Sequence, residues 1–446
     1  MRRGSFSLQL GRTLVFVLTC VLGGGWLGAN DEIPGAPQRV PVALVGGTVY
    51  PVDGPPVEGA TILFADGRIS AIGRDLELPP RTHVVSIAGR RVYPGLFESH
   101  SQLGLIEVRA VRASRDQSES GRINPNVRAY VSVNPDSELI PVARSGGVLL
   151  ALAAPTGGLI AGKSSVLQLD GWTTEDLALK TECALQVTWP FFRSPWHASA
   201  EAAAERRKKA VEDVQQLRDL FTSARAYARA RAASAGQAFD SRLESLRSVL
   251  AGETPIMVKA DGLTEIQSAV AFAHEQDIKL IVLGGYDAPH CAELLKKHDV
   301  PVIVAAIQRV PQRRDDPYDH AYTLPERLRQ TGVRFAISGS GRSWGPNTRN
   351  LPHHAAMAAA FGLPREEALK AVTLYPAQIL GVAARVGSLA VGKDATLMVT
   401  DGDPLETTTR VHIAYIGGRE VDLLDRHKRL YRKYREKYRR LEAFSE

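Results

Sequence analysis

The stretch of sequence that decides the fold reads Tyr93-Pro-Gly-Leu-Phe-Glu-Ser-His-Ser-Gln-Leu-Gly-Leu105. A Pro-Gly pair opens a short apolar run, which predicts a strand that ends in a glycine-containing loop. The run delivers His100 and, two residues later, Gln102 into that loop. Side chains alternate along a strand, so these two point the same way and can face one ligand. Imidazole is a good ligand for a zinc-type ion, whereas an amide oxygen is a poor one.

Length and composition indicate a globular protein of more than one domain. The chain has 446 residues, enough for a barrel of about 250 residues and a second domain. The net charge of +7 is unevenly distributed, because the segment from Val421 to Glu446 contains nine Lys and Arg residues and only five acidic ones. The basic excess therefore belongs largely to a tail, and it does not indicate a nucleic-acid-binding fold.

The N-terminal segment, residues 1–30, has the features of a secretory signal peptide: arginines, an apolar core and a small-residue exit. We expect an exported protein, periplasmic or secreted, and the alternative is an uncleaved membrane anchor. Residues 31–41 form a polar linker. The body then contains Cys183 and Cys291, which we expect to be two buried free thiols, although one bridge between them is also compatible with the sequence.

Strand and helix signals divide the body into two regions. From Val42 the chain shows short β runs, and Asp66-Gly67 predicts a hairpin between two of them. Later apolar runs alternate with helical segments, which predicts parallel β-α units in a barrel or a doubly wound sheet. Residues 199–250 interrupt this rhythm as a helical insertion of two helices with a break near Gly236. The later runs are Val148–Ala153, Pro255–Val258, Lys279–Leu283, Pro301–Ala305 and Arg334–Ser338.

Residues 421–446 predict a basic C-terminal helix with one apolar stripe formed by Leu423, Leu430, Tyr434, Tyr438 and Leu441. Docking of this stripe on the barrel is the simpler expectation. The alternative is contact with a membrane surface or an acidic polymer, and the excess charge would favour a weak contact with anionic surfaces in either case.

The segment from Gly157 to Ser164 matches the phosphate-binding pattern Gly-x-x-x-x-Gly-Lys-Ser. That pattern requires a helix directly after the loop, and Ser165–Leu169 predicts a strand instead. We therefore exclude a nucleotide-binding loop here.

Three motifs resemble the metal-dependent amidohydrolase superfamily, and in particular its imidazolonepropionase-like branch. The resemblance implies an α/β fold with a (β/α)8 TIM-type barrel over residues 93–384. It also implies a small composite β-sandwich domain built from residues 42–92 and 385–420. The motifs are Pro94–His100, Leu363–Thr373 with Tyr375-Pro-Ala377, and Gly387–Asp394.

The resemblance also implies where a site would lie. Members of this family hold a divalent metal such as zinc with His-x-His on the first barrel strand, further histidines on the fifth and sixth, and an Asp on the eighth. By alignment with that pattern, the corresponding cleft positions here are His100, Lys259, Asp261 and Ser340, so we expect no bound metal or other cofactor. We hypothesise that Lys259 supplies the positive charge of the metal and pairs with Asp261 or Glu98.

The remaining histidines have weaker signals. His290 lies in the loop after the predicted sixth strand and is the one candidate for a replacement ligand. His353 and His354 precede an Ala-rich helix, where packing or capping is the expected role.

Two functions follow from the resemblance. The first is an exported amidohydrolase-fold protein with impaired catalysis, which acts by binding a small molecule or a partner. The alternative is an active hydrolase of carbon–nitrogen, non-peptide bonds with a site rebuilt around His100, Lys259 and Asp261. A third hypothesis is an envelope-associated protein that uses its basic tail. The sequence does not indicate an oligomeric state, and we expect no nucleic-acid partner.

Overall fold

Two eight-stranded sheets form the framework of the chain. The computed structural model describes residues 32–191, 199–233, 238–339 and 345–441, so the predicted signal peptide and Ser340 lie outside the described residues. The strands are β1 (Val42–Val49), β2 (Val57–Ala65), β3 (Arg68–Gly73), β4 (His83–Ser86), β5 (Arg91–Pro94), β6 (Leu96–Ser101), β7 (Val148–Ala153), β8 (Ile160–Gln168), β9 (Ala178–Val187), β10 (Ile256–Ala260), β11 (Leu280–Gly284), β12 (Val302–Ala305), β13 (Phe335–Ser338), β14 (Leu397–Thr400), β15 (Val411–Ile416) and β16 (Arg419–Glu420).

The helices lie mostly between and after the barrel strands. Within the described ranges, no helix is both long and apolar enough to cross a lipid bilayer. The α-helices are α1 (Leu139–Ser145), α2 (Thr174–Leu177), α3 (Ala200–Ala233), α4 (Ser241–Ser245), α5 (Arg247–Leu250), α6 (Leu263–Glu275), α7 (Ala292–Lys297), α8 (His320–Thr331), α9 (Leu351–Ala360), α10 (Arg365–Lys370), α11 (Leu374–Ile379) and α12 (Arg426–Arg440).

The first sheet is composite, as the resemblance implies. It combines β1–β5 with β14–β16, and the two groups join where β14 pairs antiparallel with β5. Phe64 on β2 and Tyr415 on β15 lie far apart in the strand order, yet their ring centroids are 4.9 Å apart. The sheet therefore folds over its own apolar core in the manner of a sandwich. The predicted hairpin at Asp66-Gly67 is also present, because β2 pairs antiparallel with β3 across it.

The Pro-Gly pair that opens the deciding stretch is the joint between the two sheets. Pro94 ends β5, Leu96 begins β6, and the Gly95 N–H donates a hydrogen bond of 3.1 Å to the Thr396 carbonyl oxygen. A Cβ atom at Gly95 would lie 2.7 Å from the Cβ of Leu149 on β7. Only glycine allows the chain to pass this close to the barrel without displacing a buried side chain.

The second sheet is the nearly closed barrel, with β6 to β13 in consecutive order. Each predicted run coincides with a strand, with ends that differ by at most two residues, and β7 has the predicted bounds. The expectation of uniformly parallel units is wrong in one place, because β8 runs antiparallel to both β7 and β9. Gly162, Lys163 and Ser164 lie inside β8, which confirms that this segment is not a phosphate-binding loop.

The helical insertion consists of one long helix, α3, followed by the short helices α4 and α5. The predicted break near Gly236 lies outside the described residues. In the barrel region, Cys183 and Cys291 are both buried free thiols, as expected. Burial raises the pKa of the Cys183 thiol to about 12, so this thiol is unreactive at neutral pH.

The first and last barrel strands are joined through intervening groups. The Ala371–Val372 segment bridges them, because its carbonyl oxygens accept the N–H groups of Ile337 on β13 and Phe97 on β6 at 2.9 and 2.8 Å. Nearer the strand ends, the fully buried Glu98 carboxylate accepts from the Ser338 hydroxyl at 2.5 Å and the Gly339 N–H at 2.9 Å. The Ala371–Val372 segment therefore connects β6 and β13 through Phe97 and Ile337. Glu98 connects them nearer their carboxyl ends.

The expectation that the C-terminal stripe docks on the barrel is correct for Leu423, which precedes α12 and packs against the core, and wrong for the stripe residues from Leu430 onward. Asp425 caps the helix by accepting from the Lys428 N–H, and Arg429 forms an ion pair of 2.7 Å with Glu138 just before α1. Beyond this first turn the residues from Leu430 to Leu441 are exposed, apart from a half-buried Glu436. Leu430 is 41 % exposed and Tyr434 is 49 % exposed, so the stripe faces outward.

The junction at Glu98 predicts a pH-dependent stability. Burial raises the pKa of Glu98 from 4.5 to about 7, against the effect of its hydrogen bonds. At a pH between these two values, Glu98 keeps its proton in the native state and has released it in the unfolded chain. This stabilisation is complete below pH 4.5 and is lost as the pH rises through about 7, with an upper size on the order of 3 kcal/mol.

The variant E98Q cannot ionise at this position. We expect the free energy of unfolding of the native protein, relative to that of E98Q, to fall as the pH rises through this window. Urea denaturation at a series of pH values measures it, and E253Q, at an exposed glutamate, gives the baseline. The histidines are common to all three proteins and cancel. A pH-independent difference between the native protein and E98Q would contradict the assignment.

Candidate functional site

The candidate site lies at the carboxyl ends of the barrel strands. The structure brings His100 at the end of β6 and Lys259 near the end of β10 to this rim, and Asp261 follows β10 directly. Lys259 lies two positions after Met257 on β10, and Met257 belongs to the apolar barrel interior. Since side chains two positions apart point to the same face of a strand, Lys259 also leaves β10 on the interior face. Ser340, the fourth predicted position, is outside the described part of the chain.

His100 and Lys259 are electrostatically coupled. Burial first, and then the positive charge of Lys259, lower the pKa of His100 to about 4. The imidazole is therefore neutral at physiological pH, and the ammonium group supplies the charge. Lys259 is exposed at the strand end, and no carboxylate of the described residues lies within ion-pair distance of it.

Asp261 pairs with a residue that the sequence analysis did not select. Its two carboxylate oxygens each accept a hydrogen bond of 3.2 Å from Arg309, and Gln312 donates a further bond of 3.2 Å. The hypothesised pairing of Lys259 with Asp261 or Glu98 is therefore absent from the structure. Asp261 is bound by a guanidinium, and Glu98 is held in the junction between β6 and β13.

The glycines at the end of the sixth strand make room for Asp261. A Cβ atom on Gly284 would lie 2.7 Å from Asp261 Oδ1. Gly284 has a φ of 110°, a backbone conformation that residues with side chains rarely adopt. The sixth barrel strand, β11, therefore ends in a glycine that lies against the Asp261 carboxylate. The family pattern places a histidine at the end of this strand.

The loop that carries Arg309 is fixed over the strand ends by Tyr286. The guanidinium carbons of Arg309 and Arg313 lie 4.7 and 5.5 Å from the centre of the Tyr286 ring, in cation–π geometry. The Tyr286 hydroxyl donates to Asp316 at 2.8 Å, and Arg313 forms a two-bond ion pair with Asp287 at 2.7 and 2.8 Å. These contacts hold the segment between β12 and α8 in one conformation.

A pocket near these loops is separate from the predicted cleft residues. It has a volume of about 730 Å³ and contains the predicted loop histidine His290, but His100, Lys259 and Asp261 do not line it. In this pocket Arg313 and Asp287 already form an ion pair with each other, which makes them less suited to a ligand than the residues at the family-aligned strand ends. Its other lining residues include Thr264, Asp315, Asp319, His320 and Arg327.

His354 has the packing role that the sequence predicts. It is 6 % exposed on α9, and its Nδ1 accepts the Gln308 N–H at 3.5 Å, so it supports the loop that carries Arg309. Burial lowers the pKa of His354 to about 4, which keeps the ring neutral and able to accept this bond.

The side chains at the strand ends decide whether a metal ion could be held there. Among the described residues, no three His, Cys, Asp or Glu side chains come together in a way that could hold a metal ion. The adjoining residues 340–344 read Ser-Gly-Arg-Ser-Trp and contain none of these four types. Within the described ranges, the strand ends therefore do not supply the several donors around one point that a zinc-type site needs.

Arg309, Tyr286 and Asp287 are the residues that sequence reasoning missed. Tyr286 and Asp287 directly follow β11, and Arg309 follows β12 by a few residues, so all three come from loops at the functional end of a barrel. That position is the only signal they carry, because no metal-ligand or catalytic spacing involves them.

The variant R309A tests the role of this ion pair. Loss of two hydrogen bonds to Asp261 and of the contact with Tyr286 should destabilise the loop by about 1–3 kcal/mol. Hydrogen exchange of peptides from the segment between β12 and α8 should then become faster. R314A, at an exposed arginine of the same loop, is the matched control. Equal exchange in the two variants would show that Arg309 does not anchor the loop.

Comparisons with known proteins agree with this architecture. The chain is 23% identical to amidohydrolase tasK of Hapsidospora irregularis, over 78% of this chain but only 38% of that protein. It is 24% identical to an imidazolonepropionase of Symbiobacterium thermophilum, over 82% of this chain and 88% of that one. An amidohydrolase structure from Thermotoga maritima superposes with a TM-score of 0.75 at 24% identity, over 85% of this chain and 99% of the other.

The match to a defined family is more direct. Residues 199–423 match the Amidohydrolase family, which is just over half of the 446 residues. The similarity to imidazolonepropionases agrees with the branch predicted from the sequence motifs. The fold, the composite sheet and this match together lead to one conclusion: the chain belongs to the amidohydrolase family.

Proposed function

We propose that this protein uses the amidohydrolase fold to bind a small carboxylate at the end of the barrel, and that it has lost the metal-dependent hydrolysis typical of its family. The observation that carries the proposal is the replacement of metal ligands by the Lys259 ammonium beside a neutral His100. An exposed cation at the end of a barrel strand, next to an uncharged hydrogen-bonding ring, is suited to an anionic group.

The charges around Lys259 support an anionic ligand. Asp261, the acid closest to it in sequence, is neutralised by Arg309, and Asp287 is neutralised by Arg313. The Nε atom of Arg309 is buried and has no acceptor among the described residues. The rim thus contains the positive charge of Lys259 and the Nε donor of Arg309, and a carboxylate could pair with the first and accept a hydrogen bond from the second.

The same residues argue against hydrolysis by the family mechanism. The ammonium group of Lys259 stands where a ligand would be needed, and it would repel a divalent cation. The aligned eighth-strand position is Ser340 in place of an Asp, and a serine hydroxyl is a poor general base compared with a carboxylate. The alternative function, hydrolysis of a carbon–nitrogen bond by a rebuilt site, would have to proceed without the usual ligands.

Export is the second part of the proposal. The arginines and apolar core within residues 1–30 support a periplasmic or secreted location, with an uncleaved membrane anchor as the alternative. Cell fractionation, with the N-terminal sequence of the recovered protein, tests this part. A cytoplasmic protein that retains residues 1–30 would contradict it, and a membrane-bound protein that retains them would support the anchor.

Metal analysis tests the loss of the family mechanism. We expect purified protein to contain well below one divalent ion per chain, and its melting temperature to be unchanged by a chelator. The double variant Q102H/K259H restores imidazoles at two aligned positions and should take up more zinc than the native protein. One tightly held divalent ion per native chain would overturn the proposal in favour of an active hydrolase.

Ligand binding tests the role of Lys259. Succinate at high concentration should raise the melting temperature of the native protein, because a ligand that binds only the folded state stabilises it. The neutral analogue succinamide should have a smaller effect. We expect K259M to lose the response to succinate and K279M to keep it, because Lys279 is an exposed lysine that precedes β11 at the opposite end of the barrel. Equal responses of the two variants would contradict a carboxylate site at Lys259.

A further inference from the structure

The C-terminal helix α12 projects its apolar stripe away from the barrel. Its contacts with the body come from the first turn, where Arg429 pairs with Glu138 and His427 lies 3.0 Å from Arg349. Lys428 also donates to the Leu423 carbonyl oxygen at 2.7 Å. None of the 15 residues of the helix is buried. The first turn thus anchors a helix whose later residues, from Leu430 to Arg440, are exposed apart from Glu436.

The two kinds of side chain lie on separate faces of α12. At about 100° per residue, the apolar side chains fall within one arc of about 100° and the nine basic ones occupy the remaining arc. Leu441, just after the helix, continues the apolar arc and is 63 % exposed. The apolar residues within the helix are Leu430, Tyr431, Tyr434 and Tyr438.

The charge of α12 is strongly positive. Between Arg426 and Arg440 there are nine Lys and Arg residues and one acid, a net charge of +8. That acid, Glu436, is paired with Arg439 and Arg440 at 2.9 and 2.8 Å, and these partners lower its pKa to about 2. It therefore stays ionised within the helix, and the field outside is that of the basic residues.

We propose that α12 docks this protein on the surface of a bilayer that contains anionic phospholipid. Such a surface satisfies both faces at once, because the Tyr and Leu side chains enter the interface and the flanking Lys and Arg side chains reach the headgroups. Tyrosine is among the residues that favour this boundary. The proposal concerns a different surface from the carboxylate site and does not depend on it.

Other occupants satisfy only part of the helix. A second copy of α12 would cover the apolar stripe but would bring two charges of +8 together, which is unfavourable without acidic partners. A nucleic acid would pair with the basic face but would leave the Tyr and Leu stripe exposed. The bilayer surface is therefore the occupant that fits both observations.

Vesicle co-sedimentation of the full chain tests the proposal. We expect binding to vesicles that contain phosphatidylglycerol, weak binding to phosphatidylcholine alone, and a loss of binding as salt is raised. The charge variant R432Q/K433Q/R435Q and the stripe variant L430S/Y434S should each bind more weakly by about tenfold or more. All proteins share the N-terminal segment, so its contribution to lipid binding cancels between variants.

The matched control removes the same charge elsewhere. R206Q/R207Q/K208Q alters exposed basic residues of α3 and should bind vesicles like the native protein. All altered side chains are exposed or half-buried, so melting temperatures should stay unchanged and exclude misfolding as a cause. The proposal is overturned if the stripe variant binds as well as the native protein, if the α3 control loses as much binding as the charge variant, or if duplex DNA is bound in preference to the anionic vesicles.

Discussion

The closure of the barrel depends on a buried carboxylate placed between its first and last strands. Glu98 accepts hydrogen bonds from the Ser338 hydroxyl, the Gly339 N–H and, at 3.1 Å, the His100 N–H. An ionised carboxylate is costly to bury, and here the cost is reduced by donors from both strands and by uptake of a proton near neutral pH. The same contacts fix the backbone of His100, so barrel closure and the geometry of the candidate site are set together.

The rim of the barrel shows how a metal-binding scaffold can be stabilised by ion pairs. Asp261 and Arg309 form a two-bond pair, and Tyr286 lies against both Arg309 and Arg313. These groups connect the loops that follow β10, β11 and β12. Among the described residues, Lys259 is left out of these ion pairs.

The sequence predicted the parts of the structure that follow from local chemistry. Strand β7 has the predicted bounds, and the Asp66-Gly67 hairpin follows from a turn signal that needs no tertiary information. The direction of β8 could not be predicted, because a strand buried on both faces reads the same whichever way it runs. A family resemblance was needed to join β5 with β14, which are distant in sequence.

The site could be predicted only in part for a similar reason. His100, Lys259 and Asp261 follow from alignment of strand ends, whereas Arg309 reaches Asp261 from another loop. Pairings between loops depend on the path of the chain, and no spacing within the sequence records that path. The apolar stripe of α12 was visible in the sequence, but its exposure was not, because periodicity identifies a face and not what covers it.

The composite sheet and the barrel junction have a consequence for synthesis of the protein. Glu98 and Ser338 are 240 positions apart, and β14 completes a sheet that begins with β1. Neither sheet can be completed on the ribosome until most of the chain has been translated, so the nascent polypeptide presents unpaired strand edges for most of its elongation. The protein should therefore need a chaperone that covers these edges until translation ends.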